Sequence, residues 1–495
     1  MTDRPTPQTV GQLPGASQEG PRTPVVLTRL VWGLWIGSVA ALVFQFTSGT
    51  TWTGFGALAV DGLTVLMWTV VTFFSGIVHS YSRRYMRGSR TVRLFFGRIF
   101  GFTLVVMVLV MADHVVLFTL AWLTMGLIMA DLIGHVDGWP QARAAGALAR
   151  QYFVGGSVLV GAGFGTLWYA RGITAVSEIP VALTGSSPAV VIAAGFFLVA
   201  AMVQSALVPF HTWLLSSMTA PTPASALMHA GFVNAGGILL VRVAPVMTVE
   251  PGIMLAVVLV GATSALAGKL LKSVQVDVKT QLGCSTLAQM GFMIFQAGLG
   301  FFGAAITHLI LHGFYKAYLF LSSGSAVEHT SPTDPSEPPS NPGAVGTIVT
   351  GVTAVLGGAV FITLTGKGAT ADGGILLTGV VVLTTLHTTW NALGQSGLSA
   401  AVRYGVIPFV FLPAIAVYSL AYRAVKALLG GLPQLTVPAE LTVVHGLVGV
   451  VFLGAYLAVE TGLYQSSTRL YVAMMNTTRP ADGTSLTSKE EYNEY

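Results

Sequence analysis

Charge is what this sequence has least of. Only 9% of its 495 residues are Asp, Glu, Lys or Arg, where a soluble domain carries about a quarter, and 53% are hydrophobic. With a mean hydropathy of +0.74, that balance excludes a soluble globular fold and predicts a polytopic membrane protein. Cysteine is nearly absent as well. The lone Cys284 lies in an apolar segment, so neither a disulfide framework nor a Cys-based metal site is available, and redox chemistry has no support. The chain also lacks a GxxxxGK[ST] loop, an HExxH, a GxSxG and any Cys/His cluster with zinc spacing. GAGFG at 161–165 sits inside an apolar run and follows no strand, which makes it a packing element. The net charge of +5 comes mostly from short connections, with no basic run interleaved with aromatics, so it reports orientation in a membrane and not a nucleic-acid partner.

What the sequence has in quantity is long apolar runs. Taking about 20 residues per span, helices are predicted near 28–48, 58–79, 91–112, 114–135, 150–172, 189–209, 222–246, 253–271, 280–300, 302–325, 346–366, 373–393, 404–428 and 440–464. The expected fold is therefore all-α, with about 14 transmembrane helices. Residues 1–27 are rich in Pro, Gly, Ser and Thr without a basic region abutting an apolar one, and are expected to be a disordered tail, not a cleaved signal. Residues 465–495 are expected to be a second polar, exposed tail. Arg83, Arg84, Arg87, Arg90 and Arg93 crowd one connection, Arg143 and Arg150 lie two connections later, and Lys269, Lys272 and Lys279 fall in another even-numbered one. By the positive-inside rule these loops are cytoplasmic, as are both termini and the Pro/Ser-rich linker 329–346; Arg423 and Lys426 are the exceptions.

Two helices are expected to be broken. The sixth meets Pro209 in QSALVPFHTWLL, and the eleventh runs into the Gly-rich FITLTGKGATADGG, which carries Lys367. Interruptions five helices apart fit the inverted repeats of transporters, with sites near the breaks. A simple packing kink is the competing reading.

An ionisable side chain at mid-bilayer costs roughly 2.5–3.5 kcal/mol on insertion scales, so each one needs a partner, a wet cavity or a task. The strongest group is THLILHGFYKAYLF. His308, His312 and Lys316 are spaced i, i+4, i+8 and form one stripe along the tenth helix. Imidazole titrates near neutral pH, and a lysine desolvated in a helix bundle can exchange a proton, so the stripe is a candidate proton path. Hydrogen bonding to neighbouring helices is the alternative.

On the seventh helix Ser225 and His229 share a face, with His229 about 10 Å along from the start. Asn234 is expected to join helices through hydrogen bonds among small residues, and Arg242 to anchor the outer surface through its long stem. Asp131 and His135 form an i, i+4 pair that reads as interfacial. His387 is expected to be buried. Lys269 and Lys272 are explicable by snorkelling at a helix end, Asp277 and Lys279 belong to a turn, and Asp61 reads as a helix cap or a site.

VDGLTVLM, YSRRYM, VPFHTWLLSSMTAPTPASALMHA, DVKTQLGCSTLAQMGFM and HGFYKAYLFLSSGS, in order from residue 60 to about 325, resemble the antiporter-like membrane subunits shared by respiratory complex I and multisubunit cation/proton antiporters. The resemblance implies two inverted five-helix repeats, at 91–246 and 253–393, flanked by N-terminal helices within 28–90 and C-terminal helices within 404–464. It implies a pathway through His229, His308, His312 and Lys316, joined in the second half by Lys367; His387 and Lys269 are further candidates for that pathway as ionisable residues within apolar segments. Two positions depart from the family pattern. Leu123 stands where a glutamate is expected after Trp122, and Gln204 where a lysine is expected. With HAGFVNAGGILLVR and a C-terminus without a long lateral helix, these departures resemble the DabB branch, membrane subunits of energy-coupled inorganic-carbon accumulation. That branch implies H⁺ or Na⁺ flow coupled to a DabA-like partner, a large cytoplasmic carbonic-anhydrase-like protein that holds zinc, with no cofactor in this chain. The expected place is the prokaryotic inner membrane. A proton-translocating subunit of a complex I-like dehydrogenase or of a cation/proton antiporter is the second reading, and a membrane scaffold without transport the third.

Overall fold

The computed structural model describes residues 22–183, 185–329, 343–393, 404–405, 407–462 and 467–484, without the side chains of 324–329 and 460. Most of the predicted 329–346 linker and residues 1–21 of the predicted tail lie outside them. The described residues fold as a helical bundle with, among them, one small antiparallel hairpin, Trp52–Gly54 paired with Leu58–Val60.

In chain order the main helices are α1 (Arg22–Ser48), α2 (Gly62–Tyr85), α3 (Val92–Met111), α4 (Val115–Ile133), α5 (Pro140–Arg171), α6 (Pro188–Gln204) and α7 (Thr222–Arg242). There follow α8 (Pro251–Lys272), α9 (Val278–Gly298), α10 (Phe302–His329), α11 (Gly343–Thr365), α12 (Gly373–Leu393), α13 (Ile407–Leu428), α14 (Val443–Glu460) and α15 (Thr468–Thr477). A helix thus occupies each of the fourteen predicted segments. Among the described residues, ten helices are long and apolar enough to cross a membrane, counting α7 as one.

Several boundaries and roles differ from expectation. Helix α1 begins at Arg22, so the last residues of the predicted tail are helical. Helix α5 begins ten residues early, because Pro140 supplies a preset φ at its first position, and this puts Arg143 and Arg150 on a helix instead of in a loop. The predicted polar C-terminal segment contains α15. Its Met474 is buried, His211 Nε2 donates to the Thr477 carbonyl at 3.2 Å, Gln275 Nε2 to Thr478 Oγ1 at 2.9 Å, and Ala481 N to Ser216 Oγ at 3.0 Å.

Ion pairs also fall elsewhere than the helix spacing indicated. Asp131 and His135 do not pair. Asp131 meets Arg150 and Arg98, while buried His135 accepts from Arg98 at Nδ1 and donates from Nε2 to Thr91 Oγ1, each at 3.0 Å. Burial, then the adjoining Arg98 guanidinium, pushes the His135 imidazole down to about 4, which suits a neutral ring with one accepting nitrogen. Arg242 is no surface anchor. It is half-buried against Asp61, and also donates to Thr64 Oγ1 at 2.9 Å and the Val110 carbonyl at 2.6 Å, while Asp61 caps α2 by accepting from Thr64 N.

Helix α7 is buried nearly all round, and its polar residues Ser225, His229 and Asn234 are buried with it. Helices α8 and α9 meet backbone to backbone. A Cβ added at Gly261 would fall 2.4 Å from Phe295 N, at Gly268 2.4 Å from Ala288 N, and at Gly291 2.3 Å from Ala265 N. Spacings of seven along each helix repeat this contact for two turns, the close approach that small residues permit in membranes. Gly291→Val is expected to destabilise the protein by about 1–3 kcal/mol through overpacking and to lower its thermal midpoint in detergent. Gly195→Ala, where a Cβ meets nothing within 4 Å, should leave the midpoint unchanged or slightly raised, and equal midpoints for the two variants would contradict this packing.

Candidate functional site

The site starts from a flaw in α7. Its first half, Thr222–Ala230, gives way at Gly231 to a single 3₁₀ turn, Phe232–Asn234, before the helix resumes at Ala235. A break frees carbonyl groups, and in a membrane interior each of them must find a donor. Gln204 Nε2 donates to the Phe232 carbonyl at 2.9 Å, Ser205 Oγ to Val233 at 2.9 Å, and Asn234 Nδ2 to Ala230 at 2.7 Å. Asn234 therefore closes a bond within its own helix instead of joining two helices. The break expected at Pro209 begins earlier, since α6 already ends at Gln204 and Pro209 lies in the turn beyond it.

Helix α10 comes up against this break because Gly313 lets it. A Cβ there would lie 2.7 Å from the Phe74 ring and 2.9 Å from the Ala230 carbonyl oxygen. The predicted stripe forms: His308, His312 and Lys316 are all buried on one face of α10, with the two imidazoles stacked 5.9 Å apart at 14°. Phe320, one turn further along, stacks on His229 of α7 at 4.2 Å.

Helix α9 ties the two sides together. Lys316 Nζ donates to the Leu282 carbonyl at 2.9 Å, the same carbonyl accepts from Thr286 Oγ1 at 2.9 Å, and Thr286 Oγ1 lies 3.0 Å from His229 Nδ1. With the threonine hydroxyl committed to Leu282, its oxygen accepts from His229 Nδ1–H, which leaves Nε2 as the basic nitrogen. Among the described residues His229 Nε2, His308 Nε2 and both nitrogens of His312 are buried without a hydrogen-bond partner. Groups of that kind are ordinarily satisfied by ordered water. Four basic side chains from two helices thus gather in one buried row, each with a nitrogen able to hold a proton.

The remaining predicted residues fall into two other groups. Lys269 Nζ and His387 Nε2 meet at 2.9 Å across α8 and α12, and His387 also contacts Asn391, so it is paired and half-exposed instead of deeply buried. Lys367 is buried in the loop between α11 and α12, between Gly366 and Gly368, both in the left-handed region. Its ammonium lies 3.4 Å from the Tyr422 ring centroid, 5.0 Å from Phe301 and 5.8 Å from Phe361, an aromatic cage that attracts a cation. That loop separates two helices and does not break one. In the first half, half-buried Leu123 and hydrogen-bonded Gln204 supply no ionisable group.

Sequence reasoning missed Thr286, Leu282 and Phe320. Phe320 continues the i, i+4 stripe and was open to discovery; a backbone carbonyl has no sequence signal.

A helical membrane bundle with a buried row of histidines and lysine beside a broken helix defines the class, that of antiporter-like membrane subunits. Residues 112–337 match the model of the NADH:quinone oxidoreductase/Mrp antiporter transmembrane family, and residues 53–96 that of the complex I chain 5 N-terminus. The probable inorganic carbon transporter subunit DabB1 of Halothiobacillus neapolitanus is 38% identical over 286 residues, 56% of this chain and 51% of that protein. The probable DabB of Bacillus subtilis is 32% identical over 391 residues, 76% of this chain and 74% of that protein. NADH-quinone oxidoreductase subunit L of Mycobacterium tuberculosis is 39% identical over 297 residues, 56% of this chain and 45% of that protein. A chain in the solved Mrp complex from Dietzia superposes with a TM-score of 0.55 at 23% identity, covering 92% of this chain and 50% of that one, a likeness of fold. The chain belongs to the antiporter-like family in which the DabB inorganic carbon transporter subunits stand beside the complex I and Mrp membrane subunits. Its match spans about half the length of DabB1 and of DabB2 from the same organism.

Thr286→Val keeps the volume of the side chain and removes the hydroxyl that links His229 to Leu282. It is expected to slow proton flux into proteoliposomes about tenfold or more, in line with the ~1–3 kcal/mol lost when a buried polar group is left unpaired. Thr286→Ser should restore the flux, and an undiminished flux in Thr286→Val would remove the threonine from the path.

Proposed function

We propose that this chain is the ion-conducting subunit, for H⁺ or Na⁺, of an energy-coupled inorganic-carbon accumulation complex. It would lie in the inner membrane of a prokaryote with both termini in the cytoplasm, beside a large cytoplasmic carbonic-anhydrase-like partner that carries the zinc. The observation that carries the conduction role is the buried row His229, Thr286, Leu282 carbonyl and Lys316, continued along α10 by His312 and His308.

Lys316 is a basic group at a depth where charge is expensive, its ammonium donating to the Leu282 carbonyl and forming no ion pair with a carboxylate among the described residues. Such a group is stable when its proton can leave, and the stacked imidazoles one and two turns away are the nearest acceptors along its own helix. Entry of a proton from one face would protonate the row, and its release toward the other would reset it. Downhill flow through the row would drive a rearrangement that the partner uses to commit CO₂ to bicarbonate. Lys269 with His387, and Lys367 in its cage, would serve the second half of the path.

Support for the carbon reading over the dehydrogenase reading comes from extent. The match to the Bacillus subtilis DabB covers about three quarters of both chains, whereas that to subunit L covers 56% and 45%. Leu123 and Gln204, neutral where the resemblance implies an ionisable pair, agree with a subunit whose first half has been altered.

Lys316→Ala, with partner assembly intact, should abolish growth that depends on carbon capture at ambient CO₂; full growth of that variant would remove the conduction role. Copurification separates the two readings. One large zinc-binding partner is expected, and a set of Fe–S and small membrane subunits in its place would establish the dehydrogenase reading.

A further inference from the structure

Outside the buried row, an open, basic pocket of about 920 Å³ lies where α3, α4 and α5 meet. Arg98, Arg143 and Arg150 line it with a single carboxylate, Asp131, and Val154 and Gly155 continue it along α5. Asp131 takes a hydrogen bond from Arg150 and lies 3.8 Å from Arg98, so one acid is shared by two guanidiniums while Arg143 stands a further two turns toward the helix start. The pocket carries two positive charges in excess.

Its depth says what surrounds it. Helix α5 has 32 residues, about 48 Å at 1.5 Å per residue, against about 30 Å of bilayer hydrocarbon. Trp139 precedes it, and near its other end Trp168 and Tyr169 are 59% and 88% exposed, the arrangement of interfacial aromatic belts. Both ends therefore reach the headgroup layers. Arg143 lies one turn in, Arg150 about three turns in, and their exposed face continues through Ala147 and Val154, while Ala142, Ala145, Ala149 and Phe153 face the bundle. An outward-facing arginine at that depth has to draw its stem back toward the interface or bring an anion down to itself. The floor of the pocket is made for close approach, since Gly134 and Gly146 pack so tightly that a Cβ on Gly146 would lie 3.0 Å from Gly134 Cα. The apolar run at Val154 and Gly155 begins where a lipid tail would leave its headgroup.

We propose that this pocket is a binding site for an anionic phospholipid, whose phosphodiester is held by Arg143 and Arg150, with Arg98 behind them, and whose acyl chain follows Val154 along α5. Charge complementarity selects an anionic headgroup over a zwitterionic one, and a basic pocket between transmembrane helices at the interface is suited to it. The lipid-facing exposure of α5 selects a lipid over a soluble anion.

The test is native mass spectrometry of the full-length protein in detergent, titrated with phosphatidylglycerol, phosphatidylcholine or inorganic phosphate. Phosphatidylglycerol should be retained in preference to phosphatidylcholine, and millimolar inorganic phosphate should not displace it. Arg143→Gln with Arg150→Gln should cut phosphatidylglycerol retention by roughly fivefold for each arginine lost. Asp131→Asn, which adds to the excess charge without touching an arginine, should raise retention and serves if the double variant does not fold. Equal retention of the two lipids, displacement by inorganic phosphate, or retention that ignores both sets of variants would overturn the proposal.

Discussion

One main-chain carbonyl carries the arrangement. Leu282 O, on α9, accepts a hydrogen bond from the Lys316 ammonium of α10 and another from Thr286, the residue that holds His229 of α7. Three helices are thereby fixed around a buried cation, and each must meet a separate condition to arrive there. Helix α9 has to be braced from behind, which the glycine contacts with α8 accomplish. Helix α10 must approach the break in α7, which Gly313 allows. Helix α7 has to bend without leaving carbonyl groups bare, and Gln204, Ser205 and Asn234 supply the donors. A lysine in a medium of low polarity is costly unless such a framework holds it, and for that reason the framework and the function are difficult to separate.

The same seam shows what the first half of the molecule contributes. Gln204 presents a neutral N–H to the carbonyl at the break, so it can satisfy the backbone but cannot give up a proton and remain charged or neutral by turns. Leu123 likewise offers only packing. The break in α7 is satisfied by neutral donors and needs no ionisable group at Gln204 or Leu123. The residues of the buried row lie on α7 and α10, and the Lys269–His387 pair and the aromatic cage around Lys367 lie apart from it.

Much of this was legible in the sequence because helices in a membrane obey simple constraints. Apolar length placed the helices, and the four-residue spacing of His308, His312 and Lys316 placed them on one face. Periodicity names a face but not what meets it, so the partners were hidden. Arg242 looked like an anchor because Asp61, its counter-ion, is 181 residues away. Asp131 and His135 looked like a pair because they are a helical turn apart, yet the Arg98 guanidinium of α3 reaches both of them, and Arg150 of α5 takes Asp131 as well. The break in α7 had no proline to announce it, only a glycine among many, whereas Pro209 drew attention to a turn that had already begun. Helix ends were misjudged where polar residues continue the helix, as at α5, although Trp139 followed by Pro140 was a readable start.

If the row works as one connected path, its members cannot contribute independently. The most direct measurement is a double-mutant cycle on proton flux in sodium-free proteoliposomes, using His229→Ala and Lys316→Ala singly and together. A single path predicts that the double variant is no slower than the slower single variant. Losses that add in full on a logarithmic scale would mean two independent routes and would contradict the account.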